Sequence, residues 1–289
     1  MEYSIGDLSK ITRVSGKTLH QYHLDGLVVP ARIDKFSQRR YYSEKSFHRV
    51  EVVRQLTKMG LPLETIKDFL SRYFSSGQFF KRIQENVTHS SYSLEAYGLT
   101  HEALKSILHA SSDTNTQTGK LEEKVLPNLI VRSKRFTAKP DEFVPHLEEL
   151  QKTHGSLAVG NPIILFHDDH QFEEETNMEC CLPVSSDNLA DGVITHELKG
   201  ARAVAVEYSG PISGIWKAYA RIINHLNNNN LAIQTPSREV VLEPIKMLPE
   251  DKNPHIHVEV QFLTGDPNDP GFTRNVSRPG YGINAAFDL

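Results

Sequence analysis

The stretch Ser4-Ile5-Gly6-Asp7-Leu8-Ser9-Lys10-Ile11-Thr12-Arg13-Val14-Ser15-Gly16-Lys17-Thr18-Leu19-His20-Gln21-Tyr22-His23 decides how the chain begins to fold. Ser4 is a good helix N-cap, Asp7 three residues on approximates a capping box, and Ile5, Leu8 and Ile11 follow at helical spacing. A short helix over about 5–11 is expected. Thr12-Arg13-Val14 reads as a turn, and Ser15 caps a second helix, 16–23, whose Leu19 and Tyr22 can face the first helix or its neighbour. Helix, tight turn, helix is the result.

Working outward, Asp25-Gly26 ends the second helix, Pro30 prevents a restart, and 31–38 is polar and loop-like. Arg39-Arg40-Tyr41-Tyr42 then places cations and aromatics side by side, as a wing lying on a phosphate backbone would need. Ser43 caps a third helix with Phe47, Val50, Val53 and Leu56 on one face, stopped by Gly60. Pro62 opens a fourth, with Leu63, Ile66, Phe69 and Leu70 apolar.

The charge is split along the chain. Residues 1–75 carry 13 Lys and Arg against 8 Asp and Glu, a net of +5, whereas the whole chain of 289 residues is −4, leaving −9 for the remainder. A basic amino-terminal part joined to an acidic carboxy-terminal part is the asymmetry expected when one module meets phosphates and the other does not. Hydrophobic residues at 38% and charged residues at 24% exclude collagen-like, membrane-spanning and wholly disordered classes. No apolar run approaches the ~18 residues of a membrane helix, and Met1–Asp7 has neither segment of a secretory signal, so a cytoplasmic protein without membrane contact is expected. The two cysteines, Cys180 and Cys181, are adjacent and cannot staple distant segments.

Four runs carry a family resemblance: Ser4-Ile5-Gly6-Asp7-Leu8-Ser9; Thr18-Leu19, Tyr22-His23, Gly26-Leu27 and Pro30; Arg40-Tyr41-Tyr42-Ser43-Glu44; and Lys58-Met59-Gly60-Leu61-Pro62-Leu63-Glu64 with Ile66. Together they resemble the winged helix-turn-helix of the MerR family over nearly all of 3–70. In that family the second helix enters the major groove and the wing grips the flanking backbone. The resemblance implies DNA contacts from Lys17, Thr18, Tyr22, Arg40 and Tyr41, with Arg39 and Lys58 adding phosphate contacts. His20-Gln21 stands where the family usually has Arg-Tyr, and Gln38-Arg39 where it has Gly-Tyr. Gln21 can make a bidentate contact to adenine, so His20 and Gln21 are either base readers or merely solvated. The resemblance further implies a homodimer on double-stranded promoter DNA, with RNA polymerase reached indirectly by untwisting the promoter spacer.

Residues 76–119 are expected to form a helical dimerisation and linker region, ending in the polar run Ser111–Gly119. From Lys120 the texture becomes strand, helix, strand, strand, and it does so twice: 129–137, 141–152, 162–167 and 178–184, then 201–208, 212–226, 237–243 and 257–264. The expected fold is therefore α+β. It comprises a DNA-binding winged helix-turn-helix over 1–75, the helical linker, a duplicated β-α-β-β effector-binding domain with pseudo-twofold symmetry over 120–265, and a tail over 266–289. Gly210-Pro211, Tyr219, Arg238-Glu239-Val240, Pro244 and Glu259 make 125–265 resemble the GyrI-like effector-binding domain of multidrug-responsive regulators. This implies a small-molecule effector, with lipophilic cations attracted to a second-half Glu.

Glu259 is expected as that floor, with Glu179 in the equivalent place of the first copy and Trp216 and Tyr219 as aromatic walls. Strand periodicity alone allows Glu259 to point inward or to the outer sheet face; the repeat favours inward. Ile212 lies where the family usually has an aromatic, and completes the ligand set. No cofactor or metal site is expected: Cys180 and Cys181 point to opposite faces of a strand, and His255 and His257 beside a polar turn read as solvated. Catalysis is not expected either. The rival functions are hydrolysis of strained small molecules with Glu259 as acid or base, and inhibition of a protein partner by sequestration.

Overall fold

The computed structural model describes residues 2–58, 61–74, 116–140, 142–168, 175–185, 195–245 and 254–265. The expected linker helices over 76–119 lie, up to 115, outside the described residues, as does the tail over 266–289.

The head begins with α1 (Ile5–Thr12) and α2 (Gly16–Leu24). The caps anticipated for these two helices are present. Ser4 and Asp7 form a reciprocal capping box, with the Ser4 N–H donating to Asp7 Oδ2 at 3.0 Å and the Asp7 N–H to Ser4 Oγ at 3.1 Å. Ser15 Oγ accepts from the Thr18 N–H at 3.0 Å. A two-stranded wing, β1 (Arg32–Ile33) against β2 (Arg40–Tyr41), is followed by α3 (Glu44–Lys58) and α4 (Leu63–Phe74). Tyr3 and Tyr42 exchange backbone hydrogen bonds at 2.9 and 2.8 Å, tying the amino terminus to the wing's exit. Leu8, Ile11, Leu19, Phe47, Val50, Val53, Leu56 and Ile66 fill the head's core.

The carboxy-terminal domain is one antiparallel sheet with helices on one face. Its strands are β3 (Gln117–Val125), β4 (Leu129–Ala138), β5 (Ile163–Phe166), β6 (Thr176–Pro183), β7 (Thr195–Leu198), β8 (Arg202–Pro211), β9 (Ala232–Val241) and β10 (His255–Gly265). They are ordered β3-β8-β10-β9-β5-β6-β4-β7. Helix α5 (Val144–His154) lies over β6 and β4, and α6 (Trp216–Asn228) over β8, β3 and β10. Hence β9 and β5, the central pair, run between the footprints of the two helices.

Two strands were not expected. Residues 117–119, anticipated as linker, belong to β3, and β7 adds the opposite edge. The first edge strand is exposed along much of its length, so Gln117–Val125 lacks the alternating apolar signature that marks a half-buried strand, and β7 has only four residues. The helices also start later than anticipated: Phe143 is the N-cap residue of α5, and Ile212–Gly214 is a 3-10 turn ahead of α6. Asn230 takes the left-handed conformation just after α6, φ 51°.

Head and sheet domain share a core. Phe47 on α3 packs edge to face on Trp216 of α6 with ring centroids 5.8 Å apart, and α1 lies along α6. Among the described residues no helix is long and apolar enough to cross a membrane.

Candidate functional site

Strand parity sorts the side chains of the sheet. Ile256, Val258, Val260 and Phe262 on β10 point to the helix side, where they join the main core. The antiparallel register sets Val260 against Glu239 and Ile164 against Glu239, so that Glu239 lies in the same row, on the central strand β9. Its side chain is 1% exposed. Above it Tyr219 of α6 donates its hydroxyl to Glu239 Oε1 at 2.5 Å, and packs edge to face on Phe262 with centroids 5.5 Å apart. Burial pushes the Tyr219 phenol well above its ordinary range, and the carboxylate beside it adds to the shift.

The remaining partner comes from the head. Arg13, the C-cap residue of α1, extends its guanidinium across the domain boundary, with Nη2 2.5 Å from Glu239 Oε1. The guanidinium carbon is 4.8 Å from the ring centroid of Phe166 and 5.3 Å from that of Tyr219. One carboxylate, two aromatic faces and a cation thus meet in a buried cluster where the head contacts the sheet. Glu239 Oε2 is buried and has no hydrogen-bond partner among the described residues. A carboxylate desolvated to this degree is tolerable only beside a positive charge.

Glu259, expected as the charged floor, is not in this cluster. The residues flanking it on β10 take the helix side, so it points to the opposite face, in register with Val240 and Glu207. There it is held by Lys124 Nζ at 2.5 Å and by the Gln261 amide, and is 19% exposed. Glu179 is buried on that same outer face, paired with His167 at 2.8 Å and His196 at 3.5 Å. Burial pushes its carboxyl up, but hydrogen bonds from His167 and Ser133 and the nearby His196 outweigh this and hold it below the usual range. Trp216 lines the head–domain contact with Phe47, and Ile212 is buried in the common core. Of the five expected ligand residues, only Tyr219 reaches the buried carboxylate.

The two cysteines behave as strand parity requires, Cys180 in the helix-side core and Cys181 in the outer cluster, both free. Burial pushes the Cys180 thiol up to about 12. Among the described residues no group of three or more His, Cys, Asp or Glu is arranged to hold a metal ion.

The second functional surface is on the head. Lys17, His20 and Gln21 stand exposed along α2. Gln21 donates to Asp25 at 3.0 and 3.1 Å, a contact on the helix surface. Thr18 is committed to the helix cap through Ser15, 2.8 Å from its hydroxyl. Tyr22, expected on the DNA, is instead packed in the head's core at 7% exposure, because positions 19 and 22 share the inner face of α2. On the wing Arg39 is exposed, Arg40 and Tyr41 are partly buried, and Arg32 stacks over Tyr41 at 4.1 Å. Lys58 ends α3, and its side chain lies outside the described residues.

Comparison with known proteins places both parts. Residues 3–73 match the MerR HTH family regulatory proteins and 116–257 the GyrI-like small molecule binding domain. The chain is 37% identical over 65 residues to the multidrug-efflux transporter 1 regulator of Bacillus subtilis, a match covering 22% of this chain and 23% of that protein. It is 25% identical over 244 residues to the multidrug-efflux transporter 2 regulator of the same organism, covering 80% of this chain and 85% of that protein. The EcmrR chain in its DNA complex is 24% identical with a TM-score of 0.41, the match covering 91% of this chain and all of that one.

Proposed function

We infer the function from one premise: the chain belongs to the MerR family of helix-turn-helix regulators and carries a GyrI-like small-molecule-binding domain. The protein is a ligand-responsive, DNA-binding transcription regulator. The head, residues 1–75, lays α2 in the major groove of double-stranded promoter DNA, with Lys17, His20 and Gln21 facing the duplex and the Arg39–Arg40 wing on flanking phosphates. The domain over 117–265 takes the effector. Its palindromic strand order, β8-β10-β9 meeting β5-β6-β4, supports a duplicated β-α-β-β unit with pseudo-twofold symmetry. The observation that carries this reading is the shared core, since a reading helix that begins three residues beyond Arg13 is joined through that side chain to a buried carboxylate at the centre of the sheet.

That carboxylate indicates the effector's chemistry. A lipophilic organic cation would find at Glu239 an unpartnered oxygen and at Tyr219, Phe166 and Phe262 aromatic surface, the combination that favours delocalised positive charge in a dry site. The regulator acts as a cytoplasmic homodimer and reaches RNA polymerase through the distortion of promoter DNA. The hydrolase alternative loses its residue, because Glu259 is paired with Lys124 on the sheet face opposite the Glu239 cluster. Footprinting on the DNA upstream of its own gene, with and without a panel of lipophilic cations, tests the whole reading. A symmetric protected site whose pattern changes with cation is expected; no protected site, or one indifferent to every cation, overturns it.

A further inference from the structure

We propose that Arg13 is a tethered cation occupying the effector site, and that an incoming organic cation acts by evicting it from Glu239. This rests on reading the buried Glu239 cluster as the effector site and adds what fills it at rest. A guanidinium is itself a flat, delocalised, weakly hydrated cation. In this cluster it takes the partners such a cation seeks: Glu239 at 2.5 Å, and the rings of Phe166 and Tyr219 at 4.8 and 5.3 Å. With the Arg13 side chain 5% exposed, an effector cannot share Glu239 Oε1 without displacing it.

The location of Arg13 in the chain gives the eviction a consequence. It is the C-cap residue of α1 with φ 58° and ψ 33°, a left-handed conformation uncommon outside glycine, and its N–H donates to Ser9 O at 2.8 Å. Val14 follows, and then Ser15, the N-cap of α2. The turn of the helix-turn-helix is therefore pinned to the sheet domain by the same side chain that fills the effector site. Releasing Arg13 frees that turn, and with it the angle at which α2 is presented. The Phe47–Trp216 contact, across the same boundary, loosens as the head moves.

A tethered competitor also sets the effector's apparent affinity. If the latch is closed nine-tenths of the time or more, a cation binds about tenfold or more weakly than to the open site. The full-length protein and its Arg13→Gln, Arg13→Lys and Glu239→Gln variants are titrated with tetraphenylphosphonium by calorimetry, with triphenylphosphine oxide as the neutral control. Emission of Trp216, the one tryptophan in the chain, is followed in parallel. Arg13→Gln is expected to bind the cation at least tenfold more tightly, and its emission without ligand to match that of the cation-saturated parent. Equal affinity in parent and Arg13→Gln, with Glu239→Gln weakened, overturns the latch and leaves the effector site standing. Cation binding indifferent to Glu239→Gln, or absent from every form, overturns the effector site and the latch with it. Should Arg13→Gln fail to fold by circular dichroism, Arg13→Lys replaces it, since an ammonium lacks the planar fork and the stacking. A several-fold gain in cation affinity is then expected, and no gain overturns the latch.

Discussion

Removing one member of the Arg13–Glu239 pair should cost far more than removing both. In Glu239→Gln the amide oxygen still accepts the Tyr219 hydroxyl, but the guanidinium, 5% exposed, loses the Glu239 charge. In Arg13→Met the carboxylate, 1% exposed, keeps Tyr219 as its one hydrogen-bond partner among the described residues. Breaking a buried ion pair from one side costs about 3–5 kcal/mol, because the remaining charge stays desolvated, while replacing both charges with neutral groups of similar volume is often close to neutral. Glu239→Gln belongs at the lower end, about 3 kcal/mol, since one hydrogen bond survives. The double variant Arg13→Met with Glu239→Gln should recover most of either loss, giving a coupling energy of at least about 2 kcal/mol. Urea unfolding at pH 7, followed by both Trp216 emission and far-ultraviolet circular dichroism, measures the cycle, and the shared core predicts coincident transitions. Single costs that simply add, to within about 0.5 kcal/mol, would refute a head pinned to the sheet through this pair.

Three further outcomes are expected. Arg40→Ala on the wing should weaken binding to all DNA sequences alike and lower the slope of log affinity against log salt by about 1; an unchanged slope in a salt titration removes Arg40 from the phosphate backbone. Gln21→Ala should relax base preference at one or two positions per half-site, costing about 1–3 kcal/mol against the right base, and selection from random DNA returning the parental motif would clear Gln21 of that role. His48, on α3 beside the head–domain boundary, is held down to about 4 by burial, against the opposing pull of Glu51. The folded state thus resists a proton that the unfolded chain accepts near 6.5, so stability falls as pH drops from about 6.5 towards 4, by up to about 3 kcal/mol. A His48→Gln variant with the same slope over that window would assign the acid sensitivity elsewhere.

What was legible in the sequence was what local chemistry determines. The Ser4–Asp7 capping box, the Ser15 cap, the breaks at Asp25-Gly26 and Pro30, and the apolar face of α3 follow from interactions within a few residues. So the order and approximate extent of α1 to α4 and of the strands around α5 and α6 could be read directly. The motif containing Arg238-Glu239-Val240 was also visible, yet Glu239 and Glu259 looked alike as carboxylates on apolar strands. Parity within one strand says that neighbours alternate, but not which set faces the helices; that is decided only when β10 pairs with β8 and β9 and the apolar set is covered by α6. The edge strands β3 and β7 were hidden for the same reason, since half-exposed edges carry little apolar alternation. Arg13 was hidden most completely, as a turn residue whose sequence neighbours say nothing of its partner. Its counter-charge lies 226 positions away, and only the packing of α1 on α6 brings the two within 2.5 Å. Local sequence determines caps, turns and periodicity because their energies are local, whereas the pairing of a buried charge is a property of the tertiary fold that desolvates it.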